Sequence, residues 1–154
     1  MAIPFIPKGY HTATPYLYVR NAASSLEFYK KAFDAVEVMR FPGPGGKIMH
    51  AEFRIGDSTI MMADENPEMA ILGPESRGGS TSSILLYVED VDDKIKQAVT
   101  AGAKIVRPVK DQFYGDRSGT VSDPHGHSWT LATHKEEVSP EEMQKRFKAM
   151  LQTG

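Results

Sequence analysis

From Ile48 to Ile55 apolar and polar residues alternate, with Met49, Ala51, Phe53 and Ile55 on one face and His50, Glu52 and Arg54 on the other. A period of two marks a strand with one buried face. Gly56-Asp57 turns the chain into a second strand over Ser58 to Ala63, so the two read as a hairpin. Ala13 to Val19 is an earlier strand, with Pro15, Leu17 and Val19 on one face and Thr14, Tyr16 and Tyr18 on the other. Its proline places it near a sheet edge. Asn21 then caps a helix in which Ala22, Leu26, Tyr29 and Phe33 form one apolar stripe. Val36 to Phe41 adds a strand before the Pro42–Gly46 loop.

After a linker or flap over Asp64 to Thr81, which holds three Gly and two Pro, the same order returns. Ile84 to Val88 is a strand, Asp90 a cap, and Val91, Ile95, Ala98 and Gly102 repeat the helical spacing. Lys104 to Pro108 is the next strand. Leu17-Tyr18-Val19 falls on Leu86-Tyr87-Val88 at a spacing of 69 residues, and at that spacing Asn21 meets Asp90, Leu26 meets Ile95 and Val36 meets Ile105 without a gap. The pattern is a tandem duplication of a βαβββ unit, and a repeat decides the fold before any motif is read. The expected class is α+β, one domain with module one at about residues 10–65, a linker at 66–81 and module two at about 82–136. A last helix over 139–151 starts at Ser139-Pro140-Glu141-Glu142, an N-cap with Pro at N1 and a capping-box Glu. Met143, Phe147 and Met150 are its apolar stripe.

The final hairpin runs Gly119 to Ser122 and Ser128 to Thr133 around Asp123-Pro124-His125-Gly126-His127. Pro124 fixes φ, Asp123 bonds the backbone ahead of it, and Gly126 takes positive φ without strain. Trp129 and Leu131 share one face of the last strand; Ser128, Thr130 and Ala132 share the other.

Composition narrows the function classes. The 154 residues include no Cys, which removes disulfides, thiolate metal sites and a Cys nucleophile. A net charge of −2 gives no support to nucleic acid or an anionic membrane as partner. No apolar run reaches transmembrane length, and Met1 to Thr12 lacks the apolar core of a signal peptide, so the cytoplasm is the expected location. Gly43-x-Gly45-Gly46 precedes a strand, not a helix, and so does not read as a phosphate cradle.

Two βαβββ units, the Asn21-x-x-x-Ser25-x-x-Phe28-Tyr29 helix start and the Asp123-Pro124-x-Gly126-x hairpin resemble the vicinal oxygen chelate superfamily. That superfamily holds glyoxalase I, extradiol dioxygenases, fosfomycin-resistance enzymes and bleomycin-resistance proteins. Tyr114-Gly115-Asp116-Arg117 with Asp123-Pro124-x-Gly126-His127-x-Trp129 and Ala132-Thr133-His134 is similar to its PhnB-like branch. The resemblance covers about residues 10 to 145. It implies a curved mixed sheet around a cavity, each module forming half, with the helices outside.

The resemblance also implies where a metal would sit, one ligand coming from each of four strands. These positions fall on Thr14, Glu52, Ser83 and Thr130. Glu52 alone is a carboxylate, and hard divalent metals need several strong oxygen or nitrogen ligands. The expectation is therefore a protein without a metal cofactor, binding a small anionic or aromatic molecule in the manner of the bleomycin-resistance members. The alternative is a metal-dependent lyase, isomerase or dioxygenase using Glu52 and His50, or a metal-free acid–base catalyst using Glu52 near Arg117. The expected cavity wall is Thr14, Tyr16, His50, Glu52, Ser83, Tyr114, Arg117 and Thr130. Arg117 is the anion fork on this reading, against a plain Asp116–Arg117 pair. Tyr16, Tyr18 and Tyr87 are an aromatic wall, and His127 holds its own turn together. Exposed strand edges and an incomplete core in each module point to a homodimer.

Overall fold

Each half of the chain wraps four strands around one helix. The computed structural model describes residues 1–154. In the first half β1 (Tyr16–Val19), α1 (Ala22–Phe33), β2 (Val36–Pro42), β3 (Ile48–Ile55) and β4 (Ser58–Asp64) follow in order, and after a short helix α2 (Pro74–Arg77) the second half gives β5 (Ser83–Tyr87), α3 (Val91–Ala101), β6 (Lys104–Asp111), β7 (Asp116–Ser122) and β8 (Ser128–His134). The chain ends in α4 (Pro140–Gln152). The strands form two sheets, β1-β4-β3-β2 and β5-β8-β7-β6, each with one parallel pair at its β1 or β5 edge. The fold is α+β, with one four-stranded mixed sheet in each module, as the duplicated βαβββ pattern predicts. Ordered strand begins at Tyr16, later than the expected Ala13, although the Met61 N–H still reaches the Pro15 carbonyl at 3.0 Å.

The duplication is visible in single hydrogen bonds. Asn21 accepts from the Ser24 N–H and Asp90 from the Asp93 N–H, both at 3.0 Å. In each module the end of the last strand then caps the helix from outside, Asp64 taking the Ala22 N–H at 3.1 Å and Thr133 taking the Val91 N–H at 2.9 Å. These bonds satisfy donors that a helix start leaves free. The β1–β4 pair Tyr16 and Met61 matches the β5–β8 pair Leu85 and Thr130 at the same 69-residue spacing.

Alternation along the strands decides what enters the core. Leu17 and Val19 of β1, Ala51 and Phe53 of β3, Ile60 and Met62 of β4, and Trp129 and Leu131 of β8 all point to the helices and are buried. Met49, expected with them, is exposed, and Ile48 is buried in its place because the β2–β3 pairing slips at Phe41/Pro42. The two modules share one core. The Tyr29 ring lies 5.1 Å from both Phe53 and Trp129, and Phe33 lies 4.8 Å from Trp129. Helices α1 and α3 pack together, and Gln97 donates to Asp34 and to the Lys31 carbonyl, each at 2.9 Å.

One carboxylate sits inside this aromatic cluster. Asp123 is 4% exposed. One of its oxygens accepts the Tyr29 hydroxyl at 2.6 Å and the Trp129 indole N–H at 2.9 Å; the other accepts the backbone N–H groups of His125 and His127. The same turn reaches module one through His127, whose ring donates to the Tyr18 carbonyl at 3.0 Å. Gly126, at φ 90°, lets the turn close beside Pro74, where a β-carbon would come within 3.0 Å.

The α4 stripe finds less cover than its spacing suggests. Phe147 rests on Phe113 at 5.5 Å, Phe147 and Met150 stay exposed, and the helix is held mainly by the Arg146 fork on Glu136. No helix is long and apolar enough to cross a membrane.

Removing the Asp123 carboxylate strands two buried donors between the modules. Asp123→Ala is expected to lower stability by about 3–4 kcal/mol and Tyr29→Phe by about 1–2 kcal/mol. Urea unfolding measures both, and equal losses would contradict this ranking.

Candidate functional site

The residues left over after the core is filled form an open face on each sheet. On the first sheet this face carries Tyr16 and Tyr18 of β1, Met61 of β4, His50 and Glu52 of β3, and Met39 and Phe41 of β2. Register places Tyr16, Met61, Glu52 and Met39 in one row across the strands. At its centre is a hydrogen-bonded chain. The Tyr16 hydroxyl lies 2.8 Å from His50 Nδ1, and His50 Nε2 lies 3.0 Å from Glu52 Oε1. An ionised carboxylate only accepts, so His50 Nε2–H is the donor to Glu52. The other Glu52 oxygen accepts the hydroxyl of Tyr10, which belongs to the segment before β1. That segment is also tied down by the Thr59 hydroxyl, which donates to the Gly9 carbonyl at 2.8 Å.

Covered in this way, Glu52 is only 6% exposed. Burial works against its ionisation, but the hydrogen bonds from His50 and Tyr10 outweigh burial and hold it below the usual carboxylate range. Tyr10 is pushed up to about 12, first by burial and then by its bond to the Glu52 carboxylate. Tyr10 has no precedent in the sequence pattern, because the segment before β1 has no periodicity.

The open face of the second sheet is built of hydroxyls. Leu85, Thr130 and Thr120 lie in one row and Tyr87, Ala132 and Ser118 in the next. Thr120 and Thr130 bond at 2.9 Å, Ser83 and Thr130 at 3.4 Å, and Gln112 donates to Ser118 at 3.0 Å. Further along, buried Asp116 accepts the Tyr87 hydroxyl at 3.0 Å and His134 Nδ1–H at 2.7 Å. His134 Nε2 meets Glu137 at 3.0 Å. With an acceptor on each nitrogen the ring favours its charged form, so its pKa is raised, most by Asp116 and next by Glu137.

The eight expected wall residues therefore fall into groups. Tyr16, His50 and Glu52 meet on the first open face, and Ser83, Thr130 and Tyr114 belong to the second. Thr14 stops short of β1. Arg117 requires a correction. It lies between Asp116 and Ser118 on β7, so the pleat turns it to the helix side. There its guanidinium forks onto Asp92 of α3 at 2.7 and 3.0 Å and reaches Asp111 at 3.2 Å. The Asp116 pairing weighed against the anion role is not formed either; Asp92 is the partner. None of the five principal recesses is lined by both open faces. Both sheets turn their apolar faces to one core, so their open faces do not close on each other within one chain.

The four strand positions that the resemblance assigned to a metal are spread apart in what they touch. Ser83 and Thr130 are hydroxyls bonded to each other, Thr14 lies outside the strand, and both Glu52 oxygens already hold donors. The repeat also pairs Thr130 with Met61, while the structural counterpart of Glu52 is Thr120.

Paired βαβββ modules with helices on one face of each sheet and a polar open face on the other define the class of fold. The sequence model of the Glyoxalase/Bleomycin resistance protein/Dioxygenase superfamily matches residues 10–131, and the chain belongs to that superfamily. An uncharacterized protein of Mycobacterium tuberculosis is 47% identical over 134 residues, covering 85% of this chain and 79% of its own. TioX from Micromonospora sp. ML1 shares the fold with a TM-score of 0.63 at 22% identity, over 84% of this chain and all of its own. The fosfomycin resistance protein FosX from Listeria monocytogenes does so with a TM-score of 0.62 at 17% identity, over 86% of this chain and 97% of its own.

The raised His134 pKa has a sign that can be checked. Its contribution to stability is fully present below the unfolded value near 6.5 and is lost as pH rises through the folded value. The urea midpoint difference between the wild type and His134→Ala is expected to shrink from pH 6 to pH 9. A difference independent of pH would show that the ring acts by packing alone.

Proposed function

We propose that the protein binds a small molecule with aromatic and anionic parts, in a cavity that a second copy of the chain completes, and that it does so without a metal. The observation that carries this reading is the pair of open faces. They carry exposed apolar groups, with Phe41 at 56% and Tyr87 at 66% exposure, and point away from the one shared core. Setting the first face of one protomer against the second face of its partner covers those groups. It also brings Tyr16 and Phe41 opposite a hydroxyl-lined wall. Made twice about a two-fold axis, the first face of each protomer against the second face of the other, this pairing is isologous and closed, the commonest form for a homodimer. Aromatic walls with polar tips suit a small molecule that is part ring and part polar group. Membership of the superfamily supports a small-molecule ligand; the PhnB-like branch and a bleomycin-resistance-like sequestering role belong to this proposal.

A second reading rests on one arrangement, the Tyr16–His50–Glu52–Tyr10 chain. A carboxylate that orients a histidine while a tyrosine holds the other ring nitrogen is suited to proton transfer. On this reading His50 is the acid–base group and the protein is a lyase or isomerase.

Light scattering at tens of micromolar is expected to give the mass of a dimer, and a monomer would count against the composite cavity. Manganese, nickel, zinc or iron(II) in modest excess is expected to leave the melting temperature nearly unchanged, because stabilisation follows affinity. A rise of several degrees that Glu52→Gln abolishes would overturn the metal-free reading. Turnover of a screened substrate that His50→Gln removes would favour the second.

A further inference from the structure

The open face of the second sheet contains a recess of about 340 Å³ at the β6–β7 edge. Its floor is made by the hydroxyls of Ser118, Thr120 and Thr130, its outer wall by Arg107 and Lys110 of β6, and its end by Gln112 and Tyr114 of the β6–β7 loop. No carboxylate lines it.

Strict alternation along β6 would separate the two cations from a shared face only if the pairing were regular. It is not. The register with β7 slips between Ile105 and Arg107 and again between Arg107 and Lys110. Each slip admits extra residues, as a bulge does, and re-aims the side chains that follow. The result pairs Arg107 with Thr120 and Lys110 with Ser118, both on the open face.

Neither cation has an ion-pair partner, and the acidic residues around them are already engaged. Asp111 reaches Arg117 at 3.2 Å, and Asp116 accepts from Tyr87 and His134. Ser118 accepts from Gln112, which leaves its own proton free to donate. Two unpaired cations lining one recess with hydroxyl and amide donors match a ligand that only accepts and carries two charges. A planar carboxylate would neutralise one of the cations.

We infer that this recess binds a tetrahedral dianion, the phosphoryl or phosphonyl group of a small molecule, with Arg107 and Lys110 as its charge partners. The inference deepens the small-molecule reading above by naming the anionic group, but the recess lies within one chain and does not need the dimer.

The test uses the full chain at pH 8, where phosphate monoesters are dianions, since their second pKa is about 6. Inorganic phosphate, phenyl phosphate and benzoate are titrated at matched ionic strength while amide NMR shifts and calorimetric heats are read. Both phosphates are expected to move the signals of Gln112, Ser118 and Thr120, and benzoate to move them at least tenfold less readily. Arg107→Ala and Lys110→Ala, on exposed positions where the fold should persist, are expected to weaken phosphate binding at least tenfold each. Lys148→Ala, on α4, should leave it unchanged. Tighter binding of phenyl phosphate than of inorganic phosphate supports an organic phosphate ligand, and equal binding supports the free anion. No response to phosphate, an equal response to benzoate, or a response that survives both substitutions would overturn the inference. Light scattering on the same samples separates the two claims. A dimer that binds benzoate but not phosphate overturns only this one, and a monomer that binds phosphate overturns only the composite cavity.

Discussion

The structure depends on a buried negative charge placed where two hydrophobic modules meet. A carboxylate in an apolar core is costly unless every oxygen is hydrogen-bonded. Asp123 meets that condition with four donors: one hydroxyl from α1, one indole from β8 and two backbone N–H groups from its own turn. The same bonds answer the needs of the donors, since Tyr29 and Trp129 are both fully buried and would otherwise hold unpaired polar atoms. Specificity follows from this geometry. Greasy contact alone would let α1 slide against the β7–β8 hairpin, whereas a hydroxyl and an indole converging on one oxygen allow a single arrangement.

That arrangement directs the rest of the chain. With Tyr29 packed against Phe53 on one sheet and Trp129 on the other, the apolar sides of both sheets are committed to one core. What remains outward is polar and partly aromatic, and the two modules have used this freedom differently. Positions that pack against helices stay apolar in both copies, as with Leu17 and Leu86 or Met62 and Leu131. On the open faces the partners of equivalent strand pairs diverge. Met39 and Phe41 in the first module correspond to Arg107 and Lys110 in the second, and His50 and Glu52 to Ser118 and Thr120. One face became acidic and aromatic, the other cationic and hydroxyl-rich. Packing against the helices constrains the first set of positions, and the second set is free of that constraint.

The chemistry of the first face shows how little of a site a single strand supplies. His50 and Glu52 are two residues apart and share a face by pleat alone. Their character comes from Tyr16 on another strand and from Tyr10 on the segment laid over β3. Tyr10 turns an accessible carboxylate into a covered one, and that changes what Glu52 can do.

Much of the fold was legible in local pattern. Alternation in β3 and β8 placed Ala51, Phe53, Trp129 and Leu131 inside and Glu52 and Thr130 outside, because a pleat has a strict period and a buried face enforces it. The helix starts at Asn21, Asp90 and Ser139 were equally plain, since their capping bonds are made within three residues. The 69-residue repeat set the topology. Tertiary structure alone decided the features that depend on register slips or on distant partners. The slips in β6 put Arg107 and Lys110 on one face, and the pleat at Asp116 turned Arg117 away to Asp92, so the cations of the open face were not the one the sequence singled out. Tyr29 and Asp123 lie 94 residues apart, and no spacing along the chain announces their bond. Periodicity reports which face a residue occupies; only the packed chain determines what it meets there.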